Sequence, residues 1–160
     1  MNRAMLGLIL AAVQLLPESF AQEQKPTLQL DLSPDKTEVV SGTQFRLSMR
    51  IVNLTERVVD CTRVEDDNNL DVMYTYDIRT TAGKSLPNPY DKVVPQSLRA
   101  RPCKLGPKDS FEASVGSLMS TYGMKQPGVY SIQISRPDRT HPERQLGTSN
   151  IVTVIVKAPG

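Results

Sequence analysis

The chain has 160 residues, 39% of them hydrophobic, and its 19 Lys and Arg against 17 Asp and Glu leave a formal charge of +2. This near balance, with a pI of about 8.6, is well below what a nucleic-acid-binding stripe brings. With no Trp, three Phe and five Tyr, the core has to be built from Val, Ile, Leu and Met. One His and two Cys are too few for a His- or Cys-rich metal centre.

The first segment reads as an address. Met1-Asn2-Arg3 is a short positive region, Ala4 to Leu16 is apolar apart from Gly7 and Gln14, and Pro17-Glu18 breaks the run. Ser19-Phe20-Ala21 supplies the small residues of a cleavage site, predicted between Ala21 and Gln22. The run is shorter than the about 20 apolar residues a spanning helix needs. Residues 1–21 are therefore predicted to be a signal-peptide helix, 22–26 a short linker, 27–157 one domain and 158–160 a tail. The mature chain is expected to be exported, periplasmic or secreted, with no membrane span. In an oxidising compartment Cys61 and Cys103 are expected to form a disulfide, two free buried thiols being the alternative.

Along the domain the period is two, the period of strands. Leu28, Leu30 and Leu32 alternate with polar residues, followed by a turn at Ser33–Lys36 and a short extended piece at Val39-Val40. Phe45, Leu47, Met49 and Ile51 mark a second clear strand ending at Asn53-Leu54-Thr55. Residues 54–70 are polar, with a brief ladder possible at Val58-Val59 and Cys61 and an acidic turn at Glu65–Asn69. A strand over Val72–Arg79 with Tyr74, Tyr76 and Ile78 on one face leads to a hairpin turn at Thr81–Lys84, and Leu86 begins the return. Residues 86–109 carry five prolines and read as a long irregular segment, with a short edge strand expected at Val93-Val94. Ser110–Val115 alternates again, Ser117–Tyr122 suggests a helical turn or irregular crossing, and Val129–Ser135 places Tyr130, Ile132 and Ile134 on one face. After a polar stretch at 136–148, Asn150–Val156 is apolar on both faces, as for a central strand covered on each side, or an edge strand with one partly exposed row. About seven strands without a long amphipathic helix predict an all-β fold, a two-sheet antiparallel sandwich, with a barrel as the alternative.

Pro127-Gly128-Val129-Tyr130-Ser131-Ile132-Gln133-Ile134 resembles the penultimate strand of immunoglobulin-like and fibronectin type III-like domains, and Thr148–Val154 resembles their closing strand. Ser41–Leu47 with Asn53-Leu54-Thr55 is similar to their second strand and its exit. The resemblance implies an immunoglobulin-like sandwich in which Tyr130 is a structural tyrosine corner. The layout resembles that of small uncharacterised exported bacterial proteins. It resembles bacterial proteinase-inhibitor domains of sandwich type more loosely, through Tyr76-Asp77, Gly83 and the Gly-x-Tyr strand. The chain departs from antibody-type domains in having no Trp and in placing Cys103 well before the Tyr130 strand.

No catalytic constellation is evident. His141, the single histidine, sits in a charged loop beside Pro142, and the mature chain has no Gly-x-Ser-x-Gly elbow. Glu65, Asp66, Asp67 and Asp71 could ligate calcium, but their spacing is not that of an EF-hand, and a solvated acidic turn is the reading preferred. Arg99, Arg101, Lys104 and Lys108, and separately Arg136, Arg139 and Arg144, read as soluble basic loops able to meet an anionic partner. Asn53-Leu54-Thr55 matches an N-glycosylation sequon, although a strand-ending structural Asn is the reading preferred. The expected function is non-catalytic: an exported binding or interaction module for a protein or carbohydrate partner, needing no cofactor, metal or nucleic acid. A secreted protease or enzyme inhibitor presenting the 86–109 segment is the second expectation.

Overall fold

A computed structural model describes residues 25–91 and 97–160. The expected signal peptide at 1–21, the start of the linker and the edge strand at Val93-Val94 lie outside the described residues.

The chain is all-β. In order, the strands are β1 (Leu28–Pro34), β2 (Glu38–Val40), β3 (Leu47–Asn53), β4 (Val59–Asp60), β5 (Arg63–Glu65), β6 (Thr75–Thr80), β7 (Arg99–Arg101), β8 (Lys104–Leu105), β9 (Ser110–Val115), β10 (Gly128–Pro137), β11 (Gln145–Thr148) and β12 (Val152–Lys157). A one-turn helix, α1 (Leu118–Thr121), and a 3-10 turn at Pro89–Asp91 complete the described elements. Six strands have six residues or more; the other six are short pieces of two to four, beyond the expected seven.

Antiparallel β1-β3-β9 forms a three-stranded sheet. The five-stranded sheet is organised on β10. One edge of β10 pairs with β6, from Tyr130↔Thr80 to Ser135↔Thr75. Its other edge pairs first with β12 and then, from Ser135 onward, with β11. Strand β2 closes this sheet by pairing parallel with β12, Val39 opposite Val156. Two small ladders, β4–β8 and β5–β7, stand apart.

The alternation in the sequence is the burial pattern. Leu28, Leu30 and Leu32 of β1, Leu47, Met49 and Ile51 of β3, Tyr76 and Ile78 of β6, Tyr130, Ile132 and Ile134 of β10, and Val152, Val154 and Val156 of β12 all belong to one buried cluster. Each such aliphatic side chain contributes about 1.5–3 kcal/mol by leaving water. The tilted Tyr76 and Tyr122 rings, with centroids 5.9 Å apart, pack in the same cluster.

Three boundaries differ from expectation for local reasons. The second clear strand starts at Leu47, not Phe45, because Arg46 is held sideways: its N–H donates to Asp35 Oδ1 and its carbonyl accepts from Asp35 N–H. The next long strand starts at Thr75, not Val72, because Asp71 folds the preceding residues into a turn, accepting from Met73 N–H through Oδ1 and from Tyr74 N–H through its carbonyl. Strand β12 has neighbours on both edges, yet only one face is covered: Thr153 is exposed, Ile155 is half-buried and neighbouring Ile151 is 62% exposed.

The hairpin turn after β6 forms as expected, with Thr80 N–H donating to Lys84 O and Gly83 at φ +75°, a conformation glycine adopts without steric cost. Gly147 in β11 serves another purpose. A Cβ there would lie 2.5 Å from the Leu28 carbonyl oxygen, so glycine allows β11 to lie against β1.

Candidate functional site

The segment that sequence reading left irregular is fastened to the body of the protein at several points. Cys61 and Cys103 form the expected disulfide, with Cα atoms 4.8 Å apart. Beside it Cys61 N–H donates to Cys103 O at 3.0 Å, and β4–β8 pairs Val59 with Leu105. Fully buried Asn53 closes the same region. Its Nδ2 donates to the carbonyls of Arg57, Leu105 and Gly106 at 2.6, 3.1 and 2.9 Å, and its Oδ1 accepts from Thr55 N–H and Oγ1 at 2.9 and 2.8 Å. The sequon asparagine is thus a structural crosslink.

The acidic turn is solvated only at its tip, where Asp67, Asn68 and Asn69 are exposed. Glu65, Asp66 and Asp71 are 4%, 3% and 3% exposed, because each carboxylate has specific donors. Asp66 Oδ1 accepts from Asn68 N–H at 2.9 Å and Leu70 N–H at 2.8 Å, and Oδ2 accepts from the Tyr90 hydroxyl. Glu65 lies between two arginines, Oε1 2.7 Å from Arg63 Nη2 and Oε2 2.6 Å from Arg101 Nε. Asp71 Oδ1 accepts from Val64 N–H and Met73 N–H, both at 3.0 Å, while Oδ2 lies 3.6 Å from Arg63 Nε. Burial pushes the Asp71 carboxyl up, outweighing its two backbone donors and the nearby arginines. Desolvation likewise raises the Tyr74 hydroxyl and takes Tyr76 well above the ordinary phenol range. Tyr90 is raised by burial first and then by its bond to Asp66.

The basic stretches also divide. Arg136, expected in a solvated loop, is 3% exposed. It follows Tyr130, Ile132 and Ile134 on the inward face of β10, and its Nη2 donates to Thr62 O at 3.1 Å. Arg101 is ion-paired, Lys108 meets Glu56 at 2.9 Å, and Arg99, Lys104 and Arg139 are exposed. Arg144 lies 4.0 Å from Asp138. His141 is exposed, its Nδ1 3.0 Å from Thr140 Oγ1 and 3.9 Å from Asp138. Two bonds from Thr140 hold the Asp138 carboxyl below the usual range. Among the described residues no group of three or more His, Cys, Asp or Glu is placed to hold a metal, because the four acidic side chains of the turn face different partners.

Two open concavities flank the β5–β7 ladder. One, of about 400 Å³, is lined by Asp66, Asp67, Asn68, Pro89, Tyr90, Ser120 and Thr121. It adjoins a second hollow of about 380 Å³ that shares Pro89, Ser120 and Thr121 and extends over Asn88 and Tyr122. Thr121 Oγ1 is buried there without a hydrogen-bond partner. The other concavity, of about 450 Å³, is lined by Arg63, Glu65, Asn69, Arg101, Phe111, Ser114 and Gly116. The sequence offered the basic and acidic residues as separate stretches; the pairing across β5–β7 brings them together. Tyr90, Ser120 and Thr121 were not singled out, and no local pattern marks them.

The fold and these surfaces define an all-β protein with several sheets and a disulfide-fastened loop region. No helix among the described residues is long and apolar enough to cross a membrane. No family model matches the chain, and no curated protein matches it. Solved structures similar to it include a CARDB domain from Pyrococcus furiosus, described in complex with di-metal ions, at 14% identity and TM-score 0.43 over 82% of this chain and 89% of that one. A Bacteroides uniformis beta-glucuronidase gives 14% identity and TM-score 0.43 over 82% of this chain and 14% of its own. A Pseudomonas fluorescens alkylpurine DNA glycosylase gives 11% identity and TM-score 0.41 over 84% and 32%. The chain thus spans about a third or less of the two enzymes.

Proposed function

We propose that the protein is an exported, non-catalytic binding module of immunoglobulin-like sandwich architecture, and that its ligand, a carbohydrate or a protein segment, sits in the groove at Tyr90. The observation that carries this reading is the continuous concavity over Asp66, Tyr90, Ser120 and Thr121. It combines an aromatic ring, a carboxylate that orients the ring's hydroxyl, and the exposed Ser120, the mixture of apolar wall and few polar groups that small-ligand sites use. The sandwich reading draws on the two larger sheets that share one core cluster. It draws also on the Tyr130 hydroxyl, which donates to the Gln126 carbonyl at 2.8 Å as a tyrosine corner does. Export draws on the N-terminal pattern and is compatible with the disulfide. The non-catalytic reading rests on His141, which is exposed and, among the described residues, meets the side chains of Thr140 and Asp138.

Neutral oligosaccharide and peptide arrays probed with the exported protein and with Tyr90→Ala test this. A ligand whose affinity falls at least tenfold in the variant supports the reading. Arrays on which the two proteins bind alike overturn it.

A secreted protease inhibitor is the second reading. It is favoured by residues 97–102, all exposed, which contain β7 and run directly into the disulfide at Cys103, a rigid exposed segment of the kind an inhibitor presents. Replacing 97–102 by a Gly-Ser linker should abolish inhibition of a susceptible protease; unchanged inhibition would exclude the reading.

A further inference from the structure

On the other side of the β5–β7 ladder, the geometry points to a second binding site, one for a carboxylate side chain of an extended acidic peptide. The Arg101 guanidinium is 59% exposed, yet its Nε is held at 2.6 Å by Glu65, a carboxylate only 5% exposed. Neither Nη atom of Arg101 makes a hydrogen bond among the described residues, so the outer half of the guanidinium is oriented from beneath and open above. A guanidinium fixed in this way is preorganised for a carboxylate, because its donors form a planar fork that matches two oxygens.

Arg63, half-submerged beside it, is fully engaged at Nη2, with Glu65 Oε1 at 2.7 Å and the Ser114 carbonyl at 2.9 Å. It therefore supports the site as a fixed positive charge. Arg99 stands at the rim, its Nη2 3.5 Å from Asn69 Oδ1. Glu65 and Asp71 are buried beneath the arginines, and exposed Glu112 stands on β9 between Phe111 and Ser114, so the positive surface offered to solvent is confined to the Arg99 and Arg101 head groups.

Two features favour a peptide over a carboxylated sugar. Among the described residues, strand β9, whose Phe111 and Ser114 line the concavity, pairs with β3 on one edge only. Its other edge, apart from the Ser114 carbonyl bonded to Arg63, leaves backbone groups available to an extended chain. Phe111 is 38% exposed and supplies an apolar wall for the side chain next to the carboxylate. This site lies apart from the Tyr90 groove and does not depend on it.

The probe is a fluorescein-labelled alternating glutamate–valine pentapeptide, titrated into the purified protein at low ionic strength, with its lysine–valine counterpart and an oligogalacturonate as comparisons. The glutamate peptide should bind at least tenfold more tightly than the lysine peptide. Arg101→Ala should reduce that affinity at least tenfold, Arg101→Lys should reduce it several-fold because charge without the fork remains, and Lys36→Ala should leave it unchanged. Thermal melting confirms that each variant folds. Should Arg101→Ala not fold, Arg99→Ala, which removes an exposed rim charge, should still lower affinity two- to fivefold. Equal binding of the two peptides, or no effect of any arginine substitution, overturns the proposal. Binding of oligogalacturonate in place of the peptide would overturn the peptide assignment.

Discussion

The guanidinium carbon of Arg136 lies 5.0 Å from the centroid of the Tyr74 ring, and Arg136 Nη1 donates a 3.1 Å hydrogen bond to that ring's hydroxyl. The pair joins the end of β10 to the turn preceding β6. Arg136 also offsets the buried Asp71 carboxylate. Removing it leaves the Tyr74 hydroxyl, the Thr62 carbonyl and the Asp71 charge poorly compensated in the interior. Arg136→Ala is expected to destabilise the fold by about 3–5 kcal/mol, read as a lower urea midpoint; a loss below about 1 kcal/mol would show that the pair is dispensable.

Asp71 has the opposite influence on acid stability from that of a salt-bridged surface carboxylate. Its folded-state pKa is raised by burial, so the folded chain binds this proton more tightly than the unfolded chain does. The Asp71 contribution is therefore most favourable below the ordinary aspartate pKa of about 3.9 and declines as pH rises through the raised value. Above that value Asp71 carries a constant ionisation penalty. Asp71→Asn removes this declining component, so the difference in stability between variant and wild type should shift in favour of the variant as pH rises from 4 toward 7. Urea titrations across that range check it, and a difference that does not change with pH would refute it.

Breaking the Cys61–Cys103 link with a double serine substitution is expected to cost about 4 kcal/mol on the loop-entropy relation for this separation. The disulfide anchors the segment that carries β7 and β8. Amide exchange should accordingly increase at residues 97–105 before it increases in β10. Uniform acceleration across all strands would mean that the link stabilises the whole domain and not this segment.

Asn53→Asp replaces a side-chain donor to three carbonyls by an acceptor and buries a charge. It should destabilise more than Asn53→Ala, which is itself expected to cost about 1–3 kcal/mol or more for the stranded polar groups. Expressed in a glycosylating host, the folded protein should have an unmodified mass at Asn53, since the side chain is fully buried. A glycan found there would contradict the observed packing.

The legible parts of the fold were those where chemistry and geometry share a period. Ser110–Val115 coincides with β9, and Leu28-Leu30-Leu32 with the buried face of β1. Strands β5 and β7 were missed because Arg63-Val64-Glu65 and Arg99-Ala100-Arg101 are held by a backbone ladder and one ion pair, Glu65 with Arg101, 36 positions apart, a relation that local hydrophobicity does not contain. Strand β11, Gln-Leu-Gly-Thr, has too little apolar content to stand out, and its Gly147 is explained only by the nearness of β1. Arg136 could have been found: it continues the parity of Tyr130, Ile132 and Ile134, and its charge concealed the alternation. The Tyr90 groove was not legible, since its walls come from segments around 66–68, 87–90 and 118–123 that meet only in the folded chain.

The parallel pairing of β2 with β12 also sets an order of events. The strand lying between β10 and β2 is the last in chain order, so the larger sheet cannot close from N- to C-terminus as the polypeptide emerges. Until Val152–Lys157 arrives, β10 has an open edge and Val39 lacks the strand that buries it. The larger sheet therefore gains β2 only through β12, whereas β1-β3-β9 and the β6–β10 pair need no contribution from it.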